Sequence, residues 1–270
     1  MNPRAFTESV HPSYGLQGND TDPPLLLLPC LGRDRGVWRA QLDCFAADYR
    51  IITTDTRGTG ASRDVVDGFT IEQFAVDALM VLDELEIENA HVAGWSMGSA
   101  VAMSLALLAP GRVRSLSLYT PWARTDADLE ARFLAMRHLA EAGDDLIDVE
   151  EHTLRQILSP QALAEIGDVR TAAAAATRDL GYPSREALIG HLDASIAHNV
   201  LDRLNKVSCP TLVISGQQDA LTPAYLAEQV AAVIPGAEYE EMTGPRSSHA
   251  LPLEMDAPFN NIARRFLDRH

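Results

Sequence analysis

Short apolar runs alternate with longer amphipathic stretches along most of the chain. Positions 25–28 are four consecutive leucines, a run that suits a strand buried on both faces of a parallel sheet. Trp38, Leu42 and Phe45 then share one face of a helix predicted over 37–45. The β-branched stretch 50–54 reads as the next strand. A helix over 71–85 follows, capped by Thr70, with Phe74, Ala78, Val81, Leu82 and Leu85 at helical spacing. Strands at 90–93 and 113–119 flank a small-residue helix that runs to about 109 and stops at Pro110-Gly111. Strand–helix alternation of this kind predicts a parallel, doubly wound sheet.

The pattern changes after Pro121-Trp122. From 123 to 203 no strand is predicted, and amphipathic helices are expected at 126–142, 149–158, 161–178 and 184–199. Strand signals resume at 211–215 and 238–242, with helices at 223–234 and 252–269. The chain therefore divides into an α/β core of 1–122 plus 204–270 and an inserted helical cap of 123–203. Residues 1–24 carry polar and turn-forming residues and read as weakly structured, with one short strand near 6–10.

Composition narrows the field. The 270 residues are 46% hydrophobic and 22% charged, as in a soluble globular protein of one large domain or one domain with an insertion. The formal net charge is −16, which would repel a phosphate backbone and argues against a nucleic-acid partner. All 22 basic residues are Arg except Lys206; with the many Ala, this points to a GC-rich genome rather than to a mechanism. Cys30, Cys44 and Cys209 are too scattered for a metal motif or a disulfide framework, so a cytoplasmic, reducing setting is expected. No signal peptide is read, and no apolar run approaches the roughly 20 residues that span a bilayer.

The candidate chemistry lies at the ends of the predicted strands. Gly94-Trp95-Ser96-Met97-Gly98 matches G-x-S-x-G between an apolar strand and a helix, the setting in which a tight turn presents a serine hydroxyl above a sheet. The blander reading is a chance Gly/Ser turn. A serine hydroxyl needs a base. Asp219 lies just past the strand at 211–215, and His249 lies between the last strand and the last helix. Both would sit at carboxyl ends of strands, where open α/β sheets form their sites. Asp219 equally suits a cap for the helix starting near Thr222, and His249 a satisfied core or surface histidine. The order Ser96, Asp219, His249 along this topology favours a triad. His249 would then act as base and Asp219 would orient it. Trp95, Trp122, Phe133 and Met136 are candidate substrate-binding residues, with core packing as the alternative for each. Cys30 has no neighbouring base and is not read as a nucleophile. Asp55 and Arg57 are read as tying their Gly-rich loop together.

Taken together, Asp55-x-Arg57-Gly58-x-Gly60-x-Ser62, Gly94-x-Ser96-x-Gly98, Gly216-x-x-Asp219-x-x-x-Pro223 and the late His249 resemble the α/β-hydrolase fold superfamily from Pro24 to the end. The stretch Leu31-Gly32-Arg33-Asp34…Trp38 and the loop Asp55-Thr56-Arg57-Gly58 resemble the small bacterial enol-lactone hydrolases and aminoacrylate hydrolases, and Trp122-Ala123-Arg124-Thr125-Asp126 is similar to the aminoacrylate group. The resemblance implies a mostly parallel twisted sheet flanked by helices, with an inserted helical cap. It also implies acyl chemistry without a cofactor or metal on a small-molecule substrate. The resemblance further implies an oxyanion hole made by the backbone N–H groups of Leu31 and Met97. One departure stands out: Pro29-Cys30 occupies the place where many members carry His-Gly beside the oxyanion hole. The expected activity is serine-dependent cleavage of an ester, lactone or related activated acyl group. A C–C bond hydrolase, a cofactor-free oxygenase and a non-catalytic ligand-binding protein remain as alternatives on the same fold. No membrane partner is expected, and a homo-oligomer is compatible with the sequence.

Overall fold

The computed structural model describes residues 12–179 and 181–270. Seven strands form one sheet: β1 (Tyr14–Gln17), β2 (Pro24–Leu28), β3 (Arg50–Thr54), β4 (Ala90–Trp95), β5 (Val113–Tyr119), β6 (Thr211–Gly216) and β7 (Glu238–Met242). Their spatial order is β1-β3-β2-β4-β5-β6-β7. Only β1 runs antiparallel, against β3; every other pairing is parallel.

The leucine run in β2 shows why the sheet is covered on both sides. Side chains alternate along a strand. Leu26 and Leu28 join the apolar layer that includes Phe74, Val81 and Leu82 of α2 (Ile71–Glu84) and Met97, Ala100 and Val101 of α3 (Met97–Leu108). Leu25 and Leu27 join the opposite layer, with Phe45 of α1 (Arg39–Phe45) and Phe259 and Phe266 of α11 (Asp256–Leu267). The edges are less apolar. In β7 three glutamates are exposed, and β1 is four residues long and half-exposed. Both features discourage pairing with another sheet.

Five helices separate β5 from β6: α4 (Ala127–Ala142), α5 (Ile147–Ile157), α6 (Pro160–Ile166), α7 (Val169–Asp179) and α8 (Arg185–Ile196). The stretch expected as one helix over 161–178 is two. Gly167 ends α6 at φ 72°, and Asp168 restarts the chain by accepting the Thr171 N–H at 3.2 Å. Pro160 opens α6 rather than merely ending α5. At the first helical position its missing N–H costs nothing, and Ser159 caps the same turn. After β6 comes α9 (Ala224–Val233).

The last helix is also broken, into α10 (Leu251–Glu254) and α11, with Met255 at φ −130° between them. Pro258 cannot continue a helix through the turn before it, but fits the first turn of a new one. The helix expected over 37–45 begins as a 3-10 turn at Arg35–Trp38. Strand β1 was not anticipated: an exposed edge strand containing Gly15 lacks a buried alternating face. The strand expected near 6–10 lies outside the described residues. No described helix is long and apolar enough to cross a membrane.

The Gly-rich loop after β3 is tied down by charge. Arg57 makes two hydrogen bonds to Asp77 of α2, Nε to Oδ2 at 2.5 Å and Nη2 to Oδ1 at 2.8 Å, with both residues buried. Asp55 accepts N–H bonds from Arg35 at 2.9 Å and Ala61 at 3.1 Å. Removing one member of a buried ion pair strands the other charge. Asp77→Ala leaves Arg57 only its contacts to Asp67, the carboxylate at 3.2 Å, and is therefore expected to lower the unfolding free energy by about 1–3 kcal/mol, read as a shift in the urea midpoint.

Candidate active site

Ser96 stands at the junction of β4 and α3 with φ 55° and ψ −117°. A non-glycine residue in this region carries about 1–3 kcal/mol of strain and persists only where its surroundings force it. The forcing contacts are visible. A side chain at Gly98 would meet the Leu28 carbonyl oxygen at 2.2 Å, and one at Gly94 would meet the Gly98 carbonyl oxygen at 2.1 Å. Only hydrogens at both positions let α3 start this close to the ends of β2 and β4. The Ser96 N–H donates to the Tyr119 carbonyl at 2.9 Å. Ser99 Oγ donates to the Gly94 carbonyl at 2.6 Å and accepts the Tyr119 N–H at 3.0 Å. The turn is thus laced to β5.

Asp219 follows β6. One of its oxygens, Oδ1, accepts the backbone N–H groups of Leu221 at 2.9 Å and Thr222 at 2.8 Å. The other, Oδ2, lies 2.8 Å from His249 Nδ1 and accepts the Thr222 hydroxyl at 2.9 Å. Asp219 does not cap the following helix, whose N-cap is Pro223 without a side-chain bond: one carboxylate oxygen closes the turn at Leu221 and Thr222, and the other contacts the histidine. A carboxylate only accepts, so Nδ1 carries the proton and Nε2 keeps a lone pair. His249 is fixed through its backbone as well, its carbonyl accepting the Trp95 indole N–H at 3.0 Å.

Ser96 and His249 line one cavity of about 30 Å³, space of order one water in this closed arrangement. Leu31 lines it too, on the loop after β2. Met97 is the first residue of α3, so its N–H precedes the helix's own hydrogen-bond ladder. Trp122, Phe133 and Met136 form an apolar wall, and the first two rings pack 5.6 Å apart. All three are also fully buried core, as is Trp95. The choice between wall and core is not exclusive here. Asp219 lies behind His249, away from the cavity lining. Among the described residues no three His, Cys, Asp or Glu side chains are grouped to hold a metal.

Residues 23–249 match the family described as alpha/beta hydrolase fold. The chain belongs to the α/β-hydrolase fold family. It is 32% identical over 258 residues to RutD of Azorhizobium caulinodans, a protein named as a carbamate hydrolase, covering 94% of this chain and 93% of the relative. It is 28% identical over 222 residues to 3-oxoadipate enol-lactonase 1 of Acinetobacter baylyi, covering 78% of this chain and 76% of that one. Among solved structures, it is similar to a hydrolase from Pseudomonas aeruginosa at 30% identity and TM-score 0.83, covering 94% and 93% of the two chains.

Within this α/β-hydrolase several residues carry weight that sequence reasoning did not assign. Arg33 lines the cavity, and its guanidinium is paired with Glu150 of α5, a fully buried carboxylate. Thr222 braces both Asp219 and His249, with its Oγ1 3.0 Å from Nδ1. The Asp219-x-x-Thr222 spacing is that of a capping turn and was the only available signal for it. Nothing near Glu150 in the sequence marks it as buried. Cys30 also lines the cavity, and burial pushes its thiol up to about 12. The thiolate, the reactive form, is thereby disfavoured at pH 8. Iodoacetamide at pH 8 is expected to leave Cys30 unmodified in the folded protein and to alkylate it in urea, as read by peptide mass. Fast labelling of Cys30 in the folded state would contradict this.

Proposed function

We propose that this α/β-hydrolase is a serine hydrolase that cleaves an ester, lactone or related activated acyl group of a small organic molecule through an acyl-enzyme. The observation that carries the reading is the 2.8 Å contact between His249 Nδ1 and Asp219 Oδ2, made by a histidine that lines the same cavity as the strained Ser96. Ser96 Oγ attacks the carbonyl carbon while His249 Nε2 takes its proton. Asp219 remains ionised, holds the tautomer and stabilises the imidazolium. Charge then develops on the carbonyl oxygen, where the Met97 N–H at the positive end of α3 and the Leu31 N–H donate to it. His249 returns the proton to the leaving oxygen. A water, activated by the same Nε2, releases the acyl group from Ser96.

The substrate class follows from the walls. Trp122, Phe133 and Met136 offer apolar contact and little room, which favours a compact acyl group over a polymer. Enlarging the cavity requires the helices 123–203 or their side chains to shift, and we treat that segment as a cap. The names of the relatives, a carbamate hydrolase and an enol-lactonase, point the same way, to a carbonyl carbon bonded to a departing heteroatom. No cofactor is needed for these steps. The unpaired thiols of Cys30, Cys44 and Cys209 fit a cytoplasmic enzyme.

Ser96→Ala is expected to abolish turnover of 4-nitrophenyl acetate with an unchanged circular dichroism spectrum. Undiminished turnover in that variant would end the proposal. Asp219→Asn places an amide opposite Nδ1 and favours the wrong tautomer. Its kcat is expected to fall by about 10³–10⁴-fold, measured as 4-nitrophenolate release. A fluorophosphonate should label Ser96 in the wild type, whereas a non-catalytic binding protein would not be labelled.

A further inference from the structure

The loop that carries Leu31 has little to hold it from within. Pro29 has no N–H, and the Cys30 side chain is only a thiol. Residues 30–33 form a tight turn in which the Arg33 N–H donates to the Cys30 carbonyl at 3.2 Å. Gly32 takes φ +67°, left-handed backbone that glycine adopts without steric cost. The orientation of the Leu31 peptide depends on how firmly this turn is set.

Two helices of the 123–203 segment reach it independently. From α8, the buried His191 ring donates its Nε2–H to the Arg57 carbonyl at 2.6 Å and lies edge-on to Phe69 and Phe74 at 5.7 and 5.5 Å. With Nε2 as donor, Nδ1 is an acceptor, and it meets the Gly32 N–H at 3.4 Å. Burial lowers the His191 pKa to about 4, so this neutral, one-donor and one-acceptor ring is the form present near neutral pH. From α5, Glu150 pairs with the Arg33 guanidinium, which also lies over the Tyr182 ring at 5.3 Å. The two residues that follow Leu31 are thus each held by a different helix. Stability does not explain the arrangement well, since a buried ion pair is often no better than an apolar pair of the same volume. Orientation does.

We infer that His191 and the Arg33–Glu150 pair are positioning residues that hold the Leu31 N–H at the oxyanion. The helical segment then takes part in stabilising the transition state rather than only covering the cavity. This inference rests on the serine-hydrolase reading above. His191 touches neither substrate nor the reacting atoms; it acts through the Gly32 peptide. Losing one oxyanion donor outright costs about 10²–10³ in kcat, and a loosened donor should forfeit part of that.

His191→Phe keeps an aromatic ring between Phe69 and Phe74 and removes both hydrogen bonds. For 4-nitrophenyl butyrate its kcat is expected to fall by about tenfold or more with KM nearly unchanged. Affinity for a trifluoromethyl ketone, which needs the oxyanion donors, should fall in parallel. His191→Gln, whose amide also offers one donor and one acceptor, should recover part of the kcat. Glu150→Gln leaves the cavity lining intact, keeps the side-chain shape and weakens the hold on Arg33. It should lose kcat with KM nearly unchanged, and it decides the matter if His191→Phe does not fold. Wild-type kcat and trifluoromethyl ketone affinity in the folded variants would overturn the inference. So would a change confined to KM or to the thermal midpoint. A wild type that neither hydrolyses the ester nor takes up fluorophosphonate would instead remove the serine-hydrolase reading itself.

Discussion

The contact on which the site depends is the close approach of the first turn of α3 to the end of β2. Gly98 lies against the Leu28 and Pro29 carbonyl oxygens, at distances no side chain would permit. That approach forces Ser96 into its strained backbone conformation. The cost of the strain is met by packing around it: α3 is almost wholly buried between the sheet and α2, and the Ser99 hydroxyl ties its first turn to both Gly94 and Tyr119.

Charge is handled locally although the chain as a whole is strongly acidic. Asp219 spreads its two oxygens over two backbone N–H groups, a hydroxyl and an imidazole. Arg57 is satisfied by Asp77, and Arg33 by Glu150. Both guanidinium groups thus have a carboxylate partner, which low-dielectric surroundings demand. The histidines divide by the same physics. His191 is turned by burial into a neutral structural donor and acceptor, while His249 keeps one nitrogen on a carboxylate and its ring on the cavity.

Much of this was legible in the chain, for reasons that differ by element. The strands 50–54, 113–119 and 238–242 and the Thr70 cap were read at their observed limits, because each rests on local pattern. The break at Gly167 was not, since a single glycine within an amphipathic stretch is also tolerated mid-helix. Strand β1 escaped because its pairing with β3, rather than a buried face of its own, makes it a strand. In the site, Ser96, Asp219 and His249 could be named from motif and order along the topology. Arg33 was visible only as a letter in a loop, and Glu150 and His191 only as helix positions.

The division has one physical cause. Backbone conformation and strand or helix preference arise from neighbours a few residues apart, so the sequence by itself determined the alternation, the long helical interruption and the tight turn at Ser96. Contacts across the fold depend on where whole helices dock. Gly32 meets His191 from 159 positions away, Arg33 meets Glu150 from 117, and Trp95 holds the His249 carbonyl from 154. No local signal encodes those separations. Only the tertiary packing of α5 and α8 against the carboxyl edge of the sheet decided which buried polar groups find one another.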